Sequence, residues 1–251
     1  MEGAMKVQTK RPILSKMIKR ARLAHSSAPL PSPQDVKLRM ETGQKIRLSF
    51  TRFPEDLTKS GIPDLEQKPV FSGGYRHYVA SEYDLTKSGG GYVICKGKGN
   101  CKWCKHSHEH TRYSRLAIAT TVVVWPTLHD GSVDHKALYN GVFDVMPWVF
   151  GKNMYKELSV IQGEFPLGEF DLLLTCERTQ YQRINIRATK GNMYRKVITA
   201  SEKEQYWTNK GFSSKQAKEK MSYYGGMLSS IIQDTTGFTK LLPMILGKED
   251  L

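Results

Sequence analysis

Period-two alternation marks two segments of the chain. Lys45-Ile46-Arg47-Leu48-Ser49-Phe50 sets polar against apolar at every step, and Gln182-Arg183-Ile184-Asn185-Ile186-Arg187 repeats the pattern. Both predict strands with one buried face. Between them, Leu116 to Trp125 is an uninterrupted apolar and β-branched run, which predicts a central buried strand with Trp125 as a core aromatic. Phe71-Ser72-Gly73-Gly74, Gly89-Gly90-Gly91, His129-Asp130-Gly131 and Lys190-Gly191-Asn192 supply the turns. Short strands punctuated by glycine predict a mainly β core over residues 35–200, a small barrel or sandwich rather than an alternating α/β sheet. One helix is expected within it, from Asn153 to Ile161, where Met154, Leu158 and Ile161 share a face.

Beyond residue 200 the period changes. Ser201-Glu202-Lys203-Glu204 reads as a capping box, and Ser213-Ser214 with Gln216 as a second helix start. Met221, Tyr224, Leu228 and Ile231 recur at helical spacing, so residues 201–251 are expected to form two or three helices. The Gly225-Gly226 pair, at about 1 kcal/mol per glycine, is expected to break the longer one. Residues 1–34 read as a basic arm, with Lys6, Lys10, Arg11, Lys16, Lys19, Arg20 and Arg22 against Glu2 alone, followed by a stiff Pro/Ser linker. Within the arm Ile13, Met17, Ile18 and Leu23 could share one face of a short helix.

Charge sharpens this picture. The 251 residues carry 38 Lys+Arg against 24 Asp+Glu, a formal +14, and such an excess attracts polyanions. There is no run of 18 apolar residues and no apolar signal core behind the N-terminal cations, so a cytoplasmic chain without membrane contact is expected.

Three of the four cysteines, Cys95, Cys101 and Cys104, crowd into ten residues. In a reducing compartment this spacing points to metal rather than disulfides. Cys101 and Cys104 have the two-residue gap that aims both sulfurs at one ion, and the Gly97-Lys98-Gly99 turn lets Cys95 join them. A zinc tetrahedron needs a fourth ligand. His106, His108 and His110 are local candidates, and His77 lies upstream. Spacing alone favours His108, through Cys-x-x-Cys-x-x-x-His. The only acid nearby is Glu109, among Lys96, Lys98, Lys102 and Lys105, so a structural zinc fits better than a water-activating one. Cys176, inside an apolar strand-like run, is expected to be a core thiol.

Binding unpaired strands needs cations along the backbone and flat rings under the bases. Tyr75-Arg76-His77-Tyr78, Tyr83, Tyr92, Lys102-Trp103, Arg112-Tyr113-Ser114-Arg115 and Trp148-Val149-Phe150-Gly151-Lys152 interleave the two kinds, and Lys98 lies in the cysteine loop. No helix-turn-helix, paired zinc finger, basic-zipper, phosphate-loop or nucleophile-elbow pattern occurs. A non-enzymatic chain is therefore expected.

The order of these motifs resembles the gene-32-type single-stranded-DNA-binding proteins of tailed phages, over roughly residues 45–200. Pro69 and Phe71 stand before His77 as in that family, where the histidine is a zinc ligand. Gly91-Tyr92-Val93-Ile94-Cys95 matches its strand into the first cysteine, and Cys101 and Cys104 match its Cys-x-x-Cys pair. Trp148-Val149-Phe150-Gly151-Lys152 resembles its aromatic-x-Phe-Gly-Lys before a helix. Leu174-Thr175-Cys176 followed by Ile184-Asn185-Ile186 resembles its Thr-Cys strand pair.

The resemblance implies an OB-fold, a five-stranded Greek-key barrel, with a zinc insertion over about residues 75–112. It implies His77 as the fourth ligand, against the local His108. It also places Arg112, Tyr113, Arg115, Trp148, Phe150 and Lys152 along a nucleic-acid cleft, and the interleaved aromatic and basic residues add Tyr75, Tyr92, Lys98, Lys102 and Trp103 as candidate contacts. The function it implies is sequence-independent coating of single-stranded DNA in phage replication, recombination or repair, within the host cytoplasm. Self-association along the strand and contact with replication proteins would accompany it, and RNA is a possible ligand in place of DNA. Two departures stand out. The Cys95 to Cys101 gap is shorter than the family's, and the C-terminus carries only Glu249 and Asp250 instead of a long acidic tail. The main rival is a phage regulator that binds host RNA polymerase and uses nucleic acid as a scaffold. A third reading is a metal-dependent nuclease.

Overall fold

A computed structural model describes residues 38–51, 71–79, 91–107, 109–178 and 183–247. The expected basic arm, Tyr83, Pro69, Gln182 and His108 lie outside them. The strands are β1 (Lys45–Phe50), β2 (Ser72–Val79), β3 (Gly91–Ile94), β4 (Arg115–Trp125), β5 (Asp144–Gly151), β6 (Asp171–Arg178) and β7 (Arg183–Thr189). The helices are α1 (Glu109–Arg112), α2 (His135–Tyr139), α3 (Lys152–Glu164), α4 (Met193–Glu202), α5 (Glu204–Thr208) and α6 (Ser214–Leu246), with a 3-10 turn at Lys102–Lys105.

One antiparallel seven-stranded sheet results, in the order β3-β2-β4-β1-β6-β7, with β5 on the other edge of β4. Strand β4 holds it together because its length serves two partners on one edge. Residues 115–119 pair with β2 and residues 122–125 with β1, while β5 pairs along residues 117–124. Ala117, Ala119, Val122, Val123 and Trp125 are buried, as the unbroken apolar run requires. At the handover Thr51 donates both its N–H and its hydroxyl to the Thr121 carbonyl, at 3.2 and 2.9 Å.

The expected five-stranded barrel is not what forms. Among the described residues no pairing joins the end strands β3 and β7, so the sheet stays open. Helical residues outnumber strand residues, and the chain is mixed α/β rather than mainly β. Two C-terminal expectations are also corrected. Ser201 lies inside α4 and donates to the Ile198 carbonyl at 2.7 Å, so it caps nothing. Helix α6 runs unbroken through Gly225-Gly226 for 33 residues. Burial of Met227, Leu228, Ile231, Leu242 and Ile245 offsets the glycine cost, because each large apolar side chain contributes roughly 1.5–3 kcal/mol. The start of α6 is as expected, with the Ser213–Gln216 capping box present.

A buried polar knot ties the far end of the sheet to α4. Asp171, with no exposed surface, accepts from Arg47 Nε at 2.7 Å, from the Ser49 hydroxyl, and from the Met193 N–H at 3.1 Å. Trp125 Nε1 donates to Ser49 Oγ at 2.7 Å. Burial pushes the Asp171 carboxyl up, while Ser49, Arg47 and Met193 pull it down. Asp171→Asn would turn an amide N–H toward one of these donors and leave Arg47 without its anion. It is expected to cost about 3 kcal/mol in chemical unfolding, the scale of a buried pair that loses one member.

Asp144 supplies the pH dependence. Burial, and then the neighbouring Asp234 carboxylate, raise its pKa. A raised carboxyl holds its proton more tightly when folded, so this contribution is present below about pH 4, where the unfolded group titrates, and is lost as pH rises through the folded value. Asp144→Asn should therefore melt at a higher temperature than the wild type at pH 7, with the difference vanishing below about pH 4.

Candidate metal centre

Strand pairing brings the cysteine loop back onto β2. His77 lies opposite Val93 in the β2–β3 ladder, and Cys95 N–H extends that ladder to the Tyr75 carbonyl at 2.8 Å. The chain then turns at Gly97, whose φ of +92° suits glycine, and its carbonyl accepts from Asn100 and Cys101 N–H. The 3-10 turn that follows brings Cys104 back beside Cys101.

His77, Cys95, Cys101 and Cys104 present one ligand atom each, all within 4.8 Å of one another. His77 Nε2 is 3.4 Å from Cys101 Sγ and 3.5 Å from Cys104 Sγ, and Cys95 Sγ is 3.5 Å from Cys104 Sγ. Tetrahedral bonds of about 2.3 Å to sulfur and about 2.0 Å to nitrogen imply edges of roughly 3.5–3.8 Å, so these separations fit one ion. His77 is fully buried, and its Nδ1 lies 2.7 Å from the Thr111 carbonyl in α1. A carbonyl only accepts, so Nδ1 carries the proton and the Nε2 lone pair faces the sulfurs.

The thiols are set for a cation. Burial opposes ionisation of Cys101, but N–H groups of Cys104, Lys96 and Trp103 outweigh it and hold its pKa below the ordinary value. Burial, and then the neighbouring Cys95 and Cys101 sulfurs, push Cys104 up to about 12. A divalent cation removes that mutual repulsion. The cluster could hold one metal ion, and three thiolates with one imidazole are a donor set that zinc takes. Four protein donors leave no open position, which suits a structural role.

Cys176 is fully buried in β6, apart from this cluster. His106 lies against the Trp103 ring, with centroids 5.6 Å apart, and outside the four-residue cluster. His108, the ligand that spacing favours, lies outside the described residues.

The expected nucleic-acid residues divide. Tyr75 and Tyr113 are about half exposed, and Lys98, Lys102, Arg112, Arg115 and Lys152 lie on the surface. Arg112 sits over the Tyr113 ring at 5.6 Å and Lys102 over the half-buried Trp103 at 5.0 Å. Tyr92 has one face covered by the Arg76 guanidinium at 3.7 Å and meets Tyr78 edge-on. Trp148 and Phe150 are corrected outright. They are 2% and 7% exposed and pack on Phe50 and Phe71, so neither offers a face to a base.

Two further residues of the interleaved Tyr75–Tyr78 run join the lobe, and one participant, a backbone group, escaped the sequence reading. Exposed Tyr78 sits beside Arg76 in β2. Arg76 also donates to the Leu246 carbonyl at 3.1 Å, bringing the end of α6 to this lobe. The Thr111 carbonyl is a backbone group, which no pattern of residue types can signal.

No protein-family model, curated protein or solved structure matches the chain. No helix among the described residues is long and apolar enough to cross a membrane.

One zinc per chain is the expected metal content. His77→Ala should lose metal at chelator concentrations the wild type withstands, and should melt at a lower temperature. Cys176→Ser should keep its zinc in the same assay.

Proposed function

We propose that the chain is a non-enzymatic, zinc-containing protein that binds single-stranded nucleic acid with little regard to sequence. The carrying observation is the surface around the metal lobe. Tyr75 and Tyr113 are each about half exposed there, Tyr78 is exposed on the other face of β2 with Arg76 and Tyr92, and Lys98, Lys102, Arg112 and Arg115 are exposed in the same lobe. Half-exposed rings give bases a face to stack on, and the cations meet phosphates. The formal charge of +14 adds long-range attraction for a polyanion. Zinc would hold the loop bearing Lys98, Lys102 and Trp103 against β2.

On this reading the open sheet and metal lobe do the work of the OB-fold and zinc insertion in the gene-32-type proteins that the motif order resembles. Coating of single strands in replication, recombination or repair then follows, with self-association along the strand. Trp148 and Phe150 belong to the supporting core in this arrangement, and the exposed tyrosines take the stacking role.

Binding of oligonucleotides by fluorescence anisotropy tests this. Affinity should fall steeply with salt, by about 0.7 log units per log unit of salt for each phosphate contact. It should change little among unstructured sequences and be weaker for duplex. Tyr113→Ala and Tyr75→Ala should each cost about 1–3 kcal/mol of binding, with metal content and melting unchanged. Equal affinity for duplex and single strand, or no effect of either substitution, contradicts the proposal.

A further inference from the structure

The metal lobe is not the only place where cations lie on aromatic rings. A second group forms where α2, α5 and the first turns of α6 meet. Buried Trp207, with Ala200 and Ala217, forms a small core of its own, against which Tyr206, Phe212 and Tyr224 pack. Lys220 Nζ sits 4.6 Å over Phe212, 5.0 Å over Tyr139 and 5.2 Å over Trp207. Lys210 Nζ sits 4.1 Å over Tyr206 and donates to its hydroxyl.

One ring in this group is both exposed and held in place. Tyr139 is 54% exposed and stacks on Tyr223 with centroids 5.3 Å apart. The Tyr223 hydroxyl in turn shares its one hydrogen between the Leu138 and Tyr139 carbonyls, at 3.0 and 2.8 Å. A ring pinned from behind loses little freedom when a base stacks on it. Lys210 and Lys220 both lie over the Trp207 ring, at 5.5 and 5.2 Å, which ties the two cations and Tyr139 into one group.

Helix α6 places this patch relative to the metal lobe. Its last residue, Leu246, accepts from Arg76 of β2, and a Cβ on Gly247 would lie 3.0 Å from the Tyr92 carbonyl. At about 1.5 Å per residue, Lys220 lies about 39 Å along the axis from Leu246. Strand β4 runs between the same two ends. The two cation-aromatic surfaces thus sit at opposite ends of the β4–α6 axis, separated by about 12 nucleotides at the ~3.4 Å rise of a stacked strand.

We propose that Tyr139 with Lys210 and Lys220 forms a second contact for the same single strand, about 39 Å from the metal lobe along the α6 axis. This rests on the single-strand reading given above. An acidic protein segment would be drawn by the lysines alone, whereas a held, exposed ring among them favours bases. Only a strand long enough to bridge both surfaces would use the second one.

Binding of dT30 and dT5 separates the cases. The variant Lys210→Gln/Lys220→Gln should bind dT30 about tenfold more weakly. Its salt slope should fall by about 1.4, for two lost phosphate contacts. Its affinity for dT5, which cannot bridge, should stay within about twofold of the wild type. Tyr139→Ala, which keeps the charge, should weaken dT30 about fivefold and spare dT5. Unchanged dT30 binding in either variant, or equal losses on both lengths, overturns the second contact. Loss of binding in Tyr113→Ala together with unchanged dT30 binding here would sink this inference and leave the metal-lobe reading intact. A wild type that binds neither oligonucleotide sinks both.

Discussion

The orientation of one imidazole governs the geometry of the candidate metal centre. His77 is fully buried between the sheet and the cysteine loop, with Nδ1 at the Thr111 carbonyl and Nε2 at the sulfurs. The first contact fixes the tautomer and the second leaves Nε2 able to serve as a metal ligand, so the ring joins β2, α1 and the loop at one point. Without a cation, burial and then the neighbouring Cys95 and Cys101 sulfurs push Cys104 up to about 12, since the thiols resist one another's ionisation. A bound cation turns that repulsion into attraction and fixes the loop that carries Lys98, Lys102 and Trp103.

Rigidity elsewhere comes from length. Strand β4 is long enough to give one edge to both β2 and β1 and the other to β5, and α6 runs beside it. The metal lobe sits at one end of this pair and the Asp171 knot and Tyr139 group toward the other. Under the proposed function, a long axis with cation-bearing aromatic surfaces at its ends would serve an extended, flexible polyanion.

Much of this was legible in the residues, for identifiable reasons. Alternation at Lys45–Phe50 and the unbroken run ending at Trp125 are local signals, and both strands form where they predict. Cysteine spacing marked three metal donors because that chemistry is local too. The histidine was harder. Local spacing pointed to His108, and only the resemblance in motif order pointed to His77, since strand pairing rather than sequence distance brings β2 over the loop. Trp148 and Phe150 misled because the Gly151-Lys152 that follows them suggested a surface, whereas β5 buries both rings and turns outward only at Gly151. The glycine pair in α6 misled because propensity is weaker than the burial gained by continuing the helix. Closure of the barrel depends on long-range pairing, which alternation in single strands does not encode.

X-ray absorption at the zinc edge tests the central claim most directly. The account predicts a first shell of three sulfurs near 2.3 Å and one imidazole nitrogen near 2.0 Å, unchanged in His108→Ala. In His77→Ala the nitrogen scattering should be lost. A four-sulfur shell, or loss of the nitrogen in His108→Ala alone, would contradict it.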